Sequence, residues 1–143
     1  MIENIFYKKK LYAIIIRNKY RSKKGVNFFS TPALPQQFGY INQKTNHYIL
    51  PHIHQKRKTK VLLTTEILLI LKGILRVDFY TEKKKYLFSK RIKKGDLIFL
   101  MHGAHGFKIL EEVQMIEVKQ GPFKITKDKE KFKNISDKEI VYK

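Results

Sequence analysis

Four of the five histidines fall in two short clusters: His52 and His54 in Pro-His-Ile-His, and His102 and His105 in Met-His-Gly-Ala-His. Residues two apart on a β-strand point to the same side. An extended 48–54 segment therefore presents both imidazoles to one point while Ile53 packs on the other side. That is how a barrel interior offers a divalent metal two ligands from one strand. The same parity sets Tyr48 and Leu50 on the histidine face and Phe107 and Ile109 on the face of His105, which is apolar company suited to a barrel wall. The plain alternative is a pair of surface or hydrogen-bonded strand histidines. His47, at a strand start, and His102, in a turn, fit solvent-facing roles. The chain has no cysteine. Thiolate zinc sites, iron–sulfur clusters, disulfides and cysteine nucleophiles are thereby excluded, and imidazole, carboxylate and water remain as metal ligands.

The elements that position these residues read as an all-β domain. Short apolar or alternating runs are separated by Gly, Pro, Asn and Lys clusters, and the spacing predicts strands at 11–17, 26–30, 36–41, 48–54, 61–71, 74–80, 86–92, 97–101, 106–110 and 113–120. Strands spaced this closely leave no room for a βαβ protein. The 74–80 run has period two, with Leu75, Val77 and Phe79 alternating with Arg76, Asp78 and Tyr80. Thr81 to Lys85 reads as a hairpin turn, and Lys93-Lys94-Gly95-Asp96 as a second turn in which glycine takes a positive φ at no steric cost. Residues 1–123 form the expected single domain. From 124 to 143 charges are dense and apolar anchors few, which reads as a charged tail or short helix.

Length and charge bound the partners. At 143 residues the chain suits one domain with a core that needs no staples. Its 31 Lys+Arg against 12 Asp+Glu give a formal charge of +19, which invites a nucleic-acid reading. Lysine carries most of that excess, whereas base readout and bidentate phosphate contacts favour arginine, so the composition argues against nucleic acid as the main partner. The apolar runs 11–17 and 67–75 fall far short of the roughly 20 residues of a membrane helix. A cytoplasmic protein without a membrane anchor is the expectation.

Two longer patterns carry a family resemblance. His52-Ile53-His54 is followed, after an eleven-residue spacer, by Glu66, six further residues and Gly73. Downstream, Gly95-Asp96 opens Gly-Asp-Leu-Ile-Phe-Leu-Met-His-Gly-Ala-His, ending at His105. In this order the motifs resemble the two motifs of the cupin superfamily, small double-stranded β-helix or jelly-roll barrels. The resemblance covers roughly 36–120. It departs from the family in the length of the spacer before Glu66 and in Met101, which stands where proline is usual. Segments such as Arg-Val-Asp-Phe-Tyr from Arg76 and Met-Ile-Glu-Val-Lys-Gln-Gly-Pro-Phe from Met115 resemble small bacterial cupins of unassigned activity, encoded near surface-polysaccharide functions.

The resemblance implies a jelly-roll fold and makes His52, His54, Glu66 and His105 the ligands of one divalent metal (Fe, Mn, Ni or Zn). It further implies a small metal-dependent enzyme, an oxygenase, isomerase or lyase, acting on a small polar or anionic metabolite of carbohydrate type. Two other readings stay open: a metal-independent sugar-nucleotide isomerase or epimerase, and a non-catalytic small-molecule-binding cupin. Tyr40, Tyr48 and Glu66 are candidate acids and bases. Gln37, Tyr40, Arg76, His102 and Lys119 are candidate substrate contacts. A homodimer is expected, because exposed sheet edges need cover.

Overall fold

In the computed structural model, which describes residues 1–122 and 128–143, the chain is all-β and its sheets are antiparallel. The strands are β1 (Ile2–Tyr7), β2 (Lys10–Ile16), β3 (Gly25–Phe28), β4 (Gly39–Asn42), β5 (Glu66–Lys72), β6 (Ile74–Tyr80), β7 (Tyr86–Lys93), β8 (Leu97–Leu100), β9 (Ala104–Ile109) and β10 (Gln114–Lys119). They form a five-stranded sheet of order β1-β2-β8-β5-β10, a three-stranded sheet of order β7-β6-β9, and the hairpin β3-β4. Among the described residues no sheet closes on itself as a barrel, and β9 and β10 each stand last in their sheets.

The alternation read along 74–80 is the alternation of β6. Leu75, Val77 and Phe79 face the five-stranded sheet and join Ala13, Ile15, Leu68, Ile70, Phe88, Ile92, Ile98 and Leu100 in the main core. Each Val, Leu, Ile or Phe side chain there contributes about 1.5–3 kcal/mol when fully buried. The other face of the five-stranded sheet is apolar as well. Ile14, Ile16, Phe99 and Met101 pack there against Phe38, with Phe29, Tyr20 and Leu34 alongside. Burial on both faces is why β2 and β8 read as continuous apolar runs rather than alternating ones.

Two local findings correct the sequence reading. Residues 48–54 form no strand, and 43–65 has no regular secondary structure up to the start of β5. An unexpected strand, β1, pairs with β2 across a two-residue turn in which Lys8 and Lys9 have φ of 45° and 64°. Such a turn normally calls for Asn-Gly, and two lysines gave no hairpin signal.

The motif glycine at 73 joins β5 to β6. Its φ is +77°, and a Cβ there would lie 2.0 Å from the Glu112 carbonyl oxygen, so the turn accepts only glycine. Asp96, fully buried, closes the next turn by accepting from the backbone N–H groups of Asn18 and Lys93 and from Arg17.

The expected boundary at 123/124 falls at residues 123–127, outside the described residues. The rest of the expected tail, 128–143, packs on the three-stranded sheet. It contains a 3-10 turn at Asp137–Glu139 capped by Ser136, and Tyr142 bridges the edge of β7 at Ser89. Phe132 meets Tyr80 edge-on at 5.1 Å, and the Ile135 N–H donates to the Tyr80 hydroxyl.

Candidate functional site

Glu66 opens β5 on the face that carries Leu68 and Ile70, so its side chain points between the two large sheets and is 7% exposed. His105 lies on β9 directly opposite Phe79, and therefore on the inner face of the other sheet. Two strands from different sheets thus bring an imidazole to a carboxylate: His105 Nε2 donates to Glu66 Oε2 at 3.0 Å. This bond, with Lys129 and Lys119 nearby, outweighs burial and holds the Glu66 carboxyl below its ordinary value. Lys119 stands opposite Glu66 in the β5–β10 register and pairs with Asp128 at 2.7 Å, while Lys129 Nζ lies 3.6 Å from Glu66 Oε1. The entry into β5 is fixed by Thr65, whose N–H donates to Gln120 Oε1 and whose hydroxyl donates to Gln36 Oε1.

His52 and His54 form a second pair. Both are exposed on the irregular 43–65 segment, their rings lie 5.1 Å apart and nearly perpendicular, and His52 Nδ1 is 2.9 Å from the Leu50 carbonyl. The structure brings Glu66 to His105 and His52 to His54, and it does not unite the two pairs. Among the described residues, no three His, Asp or Glu side chains are grouped as a metal site requires. As placed, the inner-face pair offers one carboxylate and one imidazole, fewer than the three protein donors of a catalytic zinc-type centre. The donor chemistry fits a divalent first-row metal; the donor number requires both pairs.

The remaining candidates disperse. Arg76 and Asp78 occupy the outer face of β6, each 4% exposed at the side chain. Asp78 accepts from Arg76 Nε at 2.8 Å and Nη2 at 3.0 Å and from the Ser89 hydroxyl, and Asp137 of the C-terminal segment accepts from Arg76 Nη1 at 2.8 Å. Arg76 therefore ties down the C-terminal segment instead of facing the Glu66–His105 pair. Gln37 donates to the carbonyls of Thr31 and Leu34 and organises the loop before β4. Tyr40 packs edge-on against Tyr20, and Tyr48 is exposed. His102 Nδ1 is 2.8 Å from the Leu11 carbonyl. It lines a cavity of about 200 Å³ with Lys60, Leu62, Leu63 and Met101. Two larger clefts, of about 560 and 590 Å³, are lined by Arg17, Arg91 and Lys93 and by Gly73, Lys94 and Glu111. Glu3 and Asp96 in the former are bound to Arg17, and neither cleft reaches Glu66 or His105.

Sequence reasoning missed Asp128 and Lys129, because it placed them in a tail. Lys129 reaches Glu66 across more than sixty positions and Asp128 reaches it through Lys119, and only the packing of the C-terminal segment brings them there.

No family model, curated protein or solved structure matches the chain.

Proposed function

We propose that the protein is a metal-binding cupin-type enzyme acting on a small polar or anionic, carbohydrate-related metabolite between the two large sheets. The observation that carries this reading is the meeting of Glu66 and His105 from opposite sheets on their inner faces at 3.0 Å. The strand path supports the jelly-roll reading: β5, β8 and β10 lie in one sheet and β6, β7 and β9 in the other, all antiparallel.

The metal reading needs His52 and His54 at the inner-face pair, and two features favour that closure. Phe107, Ile109 and Met115 point inward from β9 and β10, yet are 39%, 53% and 39% exposed, so the space between the sheets lacks a wall on that side. Residues 48–63 carry Tyr48, Leu50, Ile53, Val61, Leu62 and Leu63 exposed to water. Adding 48–54 as a strand to the free edge of β9, with His52 and His54 inward, brings Tyr48 and Leu50 over that open side, and a leucine so covered contributes about 1.5–3 kcal/mol when fully buried. Glu66, His105, His52 and His54 then hold the ion, which supplies Lewis acidity and a water of lowered pKa when bound. In this reading the protein's own part is to keep Glu66 ionised, through His105, Lys119 and Lys129, and to offer the two lysines to an anionic substrate group.

A second reading rests on the same 3.0 Å bond: Glu66 and His105 as a metal-free base and acid in a sugar-nucleotide isomerase or epimerase. Metal analysis after reconstitution with Fe, Mn, Ni and Zn separates the two. One ion per chain, lost in the His52→Ala/His54→Ala variant, supports the metal enzyme. Substoichiometric metal under all four conditions overturns it, and turnover retained by the double variant without metal supports the second reading.

A further inference from the structure

Arginine is scarce in this chain: five of the 31 basic residues are arginine, and two of the five, Arg17 and Arg91, line one cleft of about 560 Å³. The cleft sits at the end of the two large sheets away from Glu66. Glu66 pairs with Leu100, the last residue of β8, whereas Arg17 follows Ile16, which pairs with Leu97, the first. Lys19 and Lys93 join the arginines in the wall, against Glu3 and Asp96, so four cationic side chains outweigh two carboxylates. Both carboxylates are already engaged. Glu3 accepts from Arg17 Nε at 2.6 Å and from Lys90 at 2.8 Å. Asp96 accepts from Arg17 Nη1 at 2.9 Å and from the backbone N–H groups of Asn18 and Lys93. With the Arg91 carbonyl 2.8 Å from Nη1, these partners hold the Arg17 guanidinium in one orientation. Its Nη2 has no partner among the described residues and is open to solvent. Arg91 is held differently: its guanidinium lies 4.5 Å from the Tyr142 ring centre, and its N–H groups have no hydrogen-bond partner among the described residues. Stacking occupies a face of the guanidinium and leaves the donors at its edge for a ligand.

We infer that this cleft is a second binding site, for a small organic phosphate whose phosphate group is held by Arg17 and Arg91. Guanidinium groups offer planar, paired donors that match phosphate oxygens, and two that are oriented in advance lower the ordering cost of binding. The side chains of the wall leave an excess of two positive charges. That excess matches a phosphate monoester, about −1.5 to −2 at neutral pH, better than a singly charged carboxylate. The cleft is far larger than one phosphate group and falls within the roughly 300–1,000 Å³ of small-molecule sites. Ile74 and the aliphatic stems of Lys19 and Lys93 give an organic body an apolar wall beside the arginines. Neither Glu66 nor His105 lines the cleft, so the site is independent of the metal enzyme proposed above.

Isothermal titration calorimetry of the full chain with inorganic phosphate, AMP and adenosine tests this. EDTA in the buffer strips any metal, so the outcome does not depend on the Glu66–His105 site. The expected results are one AMP per chain, inorganic phosphate weaker by about tenfold for want of an organic body, and no binding of adenosine. Arg91→Ala, at an exposed strand position, weakens AMP on the order of tenfold or more, the loss of charge-assisted hydrogen bonds. Arg17→Lys keeps the charge but loses the fork and weakens AMP as well; should it also lower the melting temperature, Arg91→Ala alone decides. Lys83→Ala/Lys85→Ala, in the β6–β7 turn at the far end of the sheets, leaves AMP affinity unchanged. Absence of binding by AMP, or an affinity indifferent to Arg91→Ala, overturns the site. Inorganic phosphate binding as tightly as AMP overturns the organic ligand, and an equal loss in the Lys83/Lys85 variant overturns a local site in favour of general attraction to a +19 surface.

Discussion

Asp78→Ala should be among the most destabilising polar substitutions in this protein, and its cost can be worked from the geometry. Asp78 accepts two hydrogen bonds from Arg76 and one from Ser89, and both charged side chains are 4% exposed. Removing the carboxylate leaves the guanidinium buried with one partner, Asp137, which is itself largely exposed. Breaking a buried pair from one side costs about 3–5 kcal/mol. The surviving Asp137 contact and the Tyr86 hydroxyl still bonded to Ser89 place the loss near the lower end, about 3 kcal/mol, or roughly 10 °C in melting temperature for a chain of this size. Guanidinium chloride unfolding of wild type and variant measures it. The penalty belongs to the unpaired charge and not to the pair, so Arg76→Met/Asp78→Leu should recover most of it. A loss below about 1 kcal/mol for Asp78→Ala, or a double variant no better than the single, would refute the argument that Arg76 is structural.

Other outcomes follow from the same packing. Gly73→Ala places a methyl 2.0 Å from the Glu112 carbonyl at a φ of +77°, so it should lower stability by at least about 2 kcal/mol in the same unfolding assay. Glu66 has a lowered folded-state pKa. Its contribution is therefore fully present above the unfolded carboxyl value near pH 4.5 and is lost as pH falls through the folded value. Melting temperatures from pH 6 down to 3 should show a shallower acid limb for Glu66→Gln than for the wild type. Asp137, held low first by Lys108 and then by Arg76, acts in the same direction. Asp137→Asn should accordingly weaken protection of the C-terminal segment in hydrogen exchange at neutral pH, and the difference from wild type should shrink in acid.

Much of the framework is legible because its physics is local. The period-two run of 74–80 defines β6 to the residue, and the Gly95 turn follows from a glycine placed between charged neighbours and a buried Asp96. Double-faced burial makes β2 and β8 conspicuous as apolar runs. The Lys8-Lys9 turn hid β1, because its left-handed backbone is imposed by strand pairing against residue preference. His52, Ile53 and His54 alternate as a strand would, yet alternation licenses a strand only where a neighbour supplies the hydrogen bonds, and none among the described residues does so. At the site, the ordering of Glu66 before Gly73 and of Gly95 before His105 anticipated two residues that do meet. The part played by Lys119, Asp128 and Lys129 at Glu66 was not legible as a unit, since it depends on a C-terminal segment folding back across the sheets.

The proposed function requires Glu66, His105, His52 and His54 to converge on one ion. Crystals grown with Mn, Fe, Ni or Zn and measured at the metal's absorption edge test it most directly. The expected result is a single anomalous peak per chain, about 2.0–2.2 Å from imidazole nitrogens of all three histidines and from a Glu66 carboxylate oxygen, with 48–54 paired to β9. A Glu66–His105 hydrogen bond still intact beside a metal-free space, or a peak held by other residues, would contradict it.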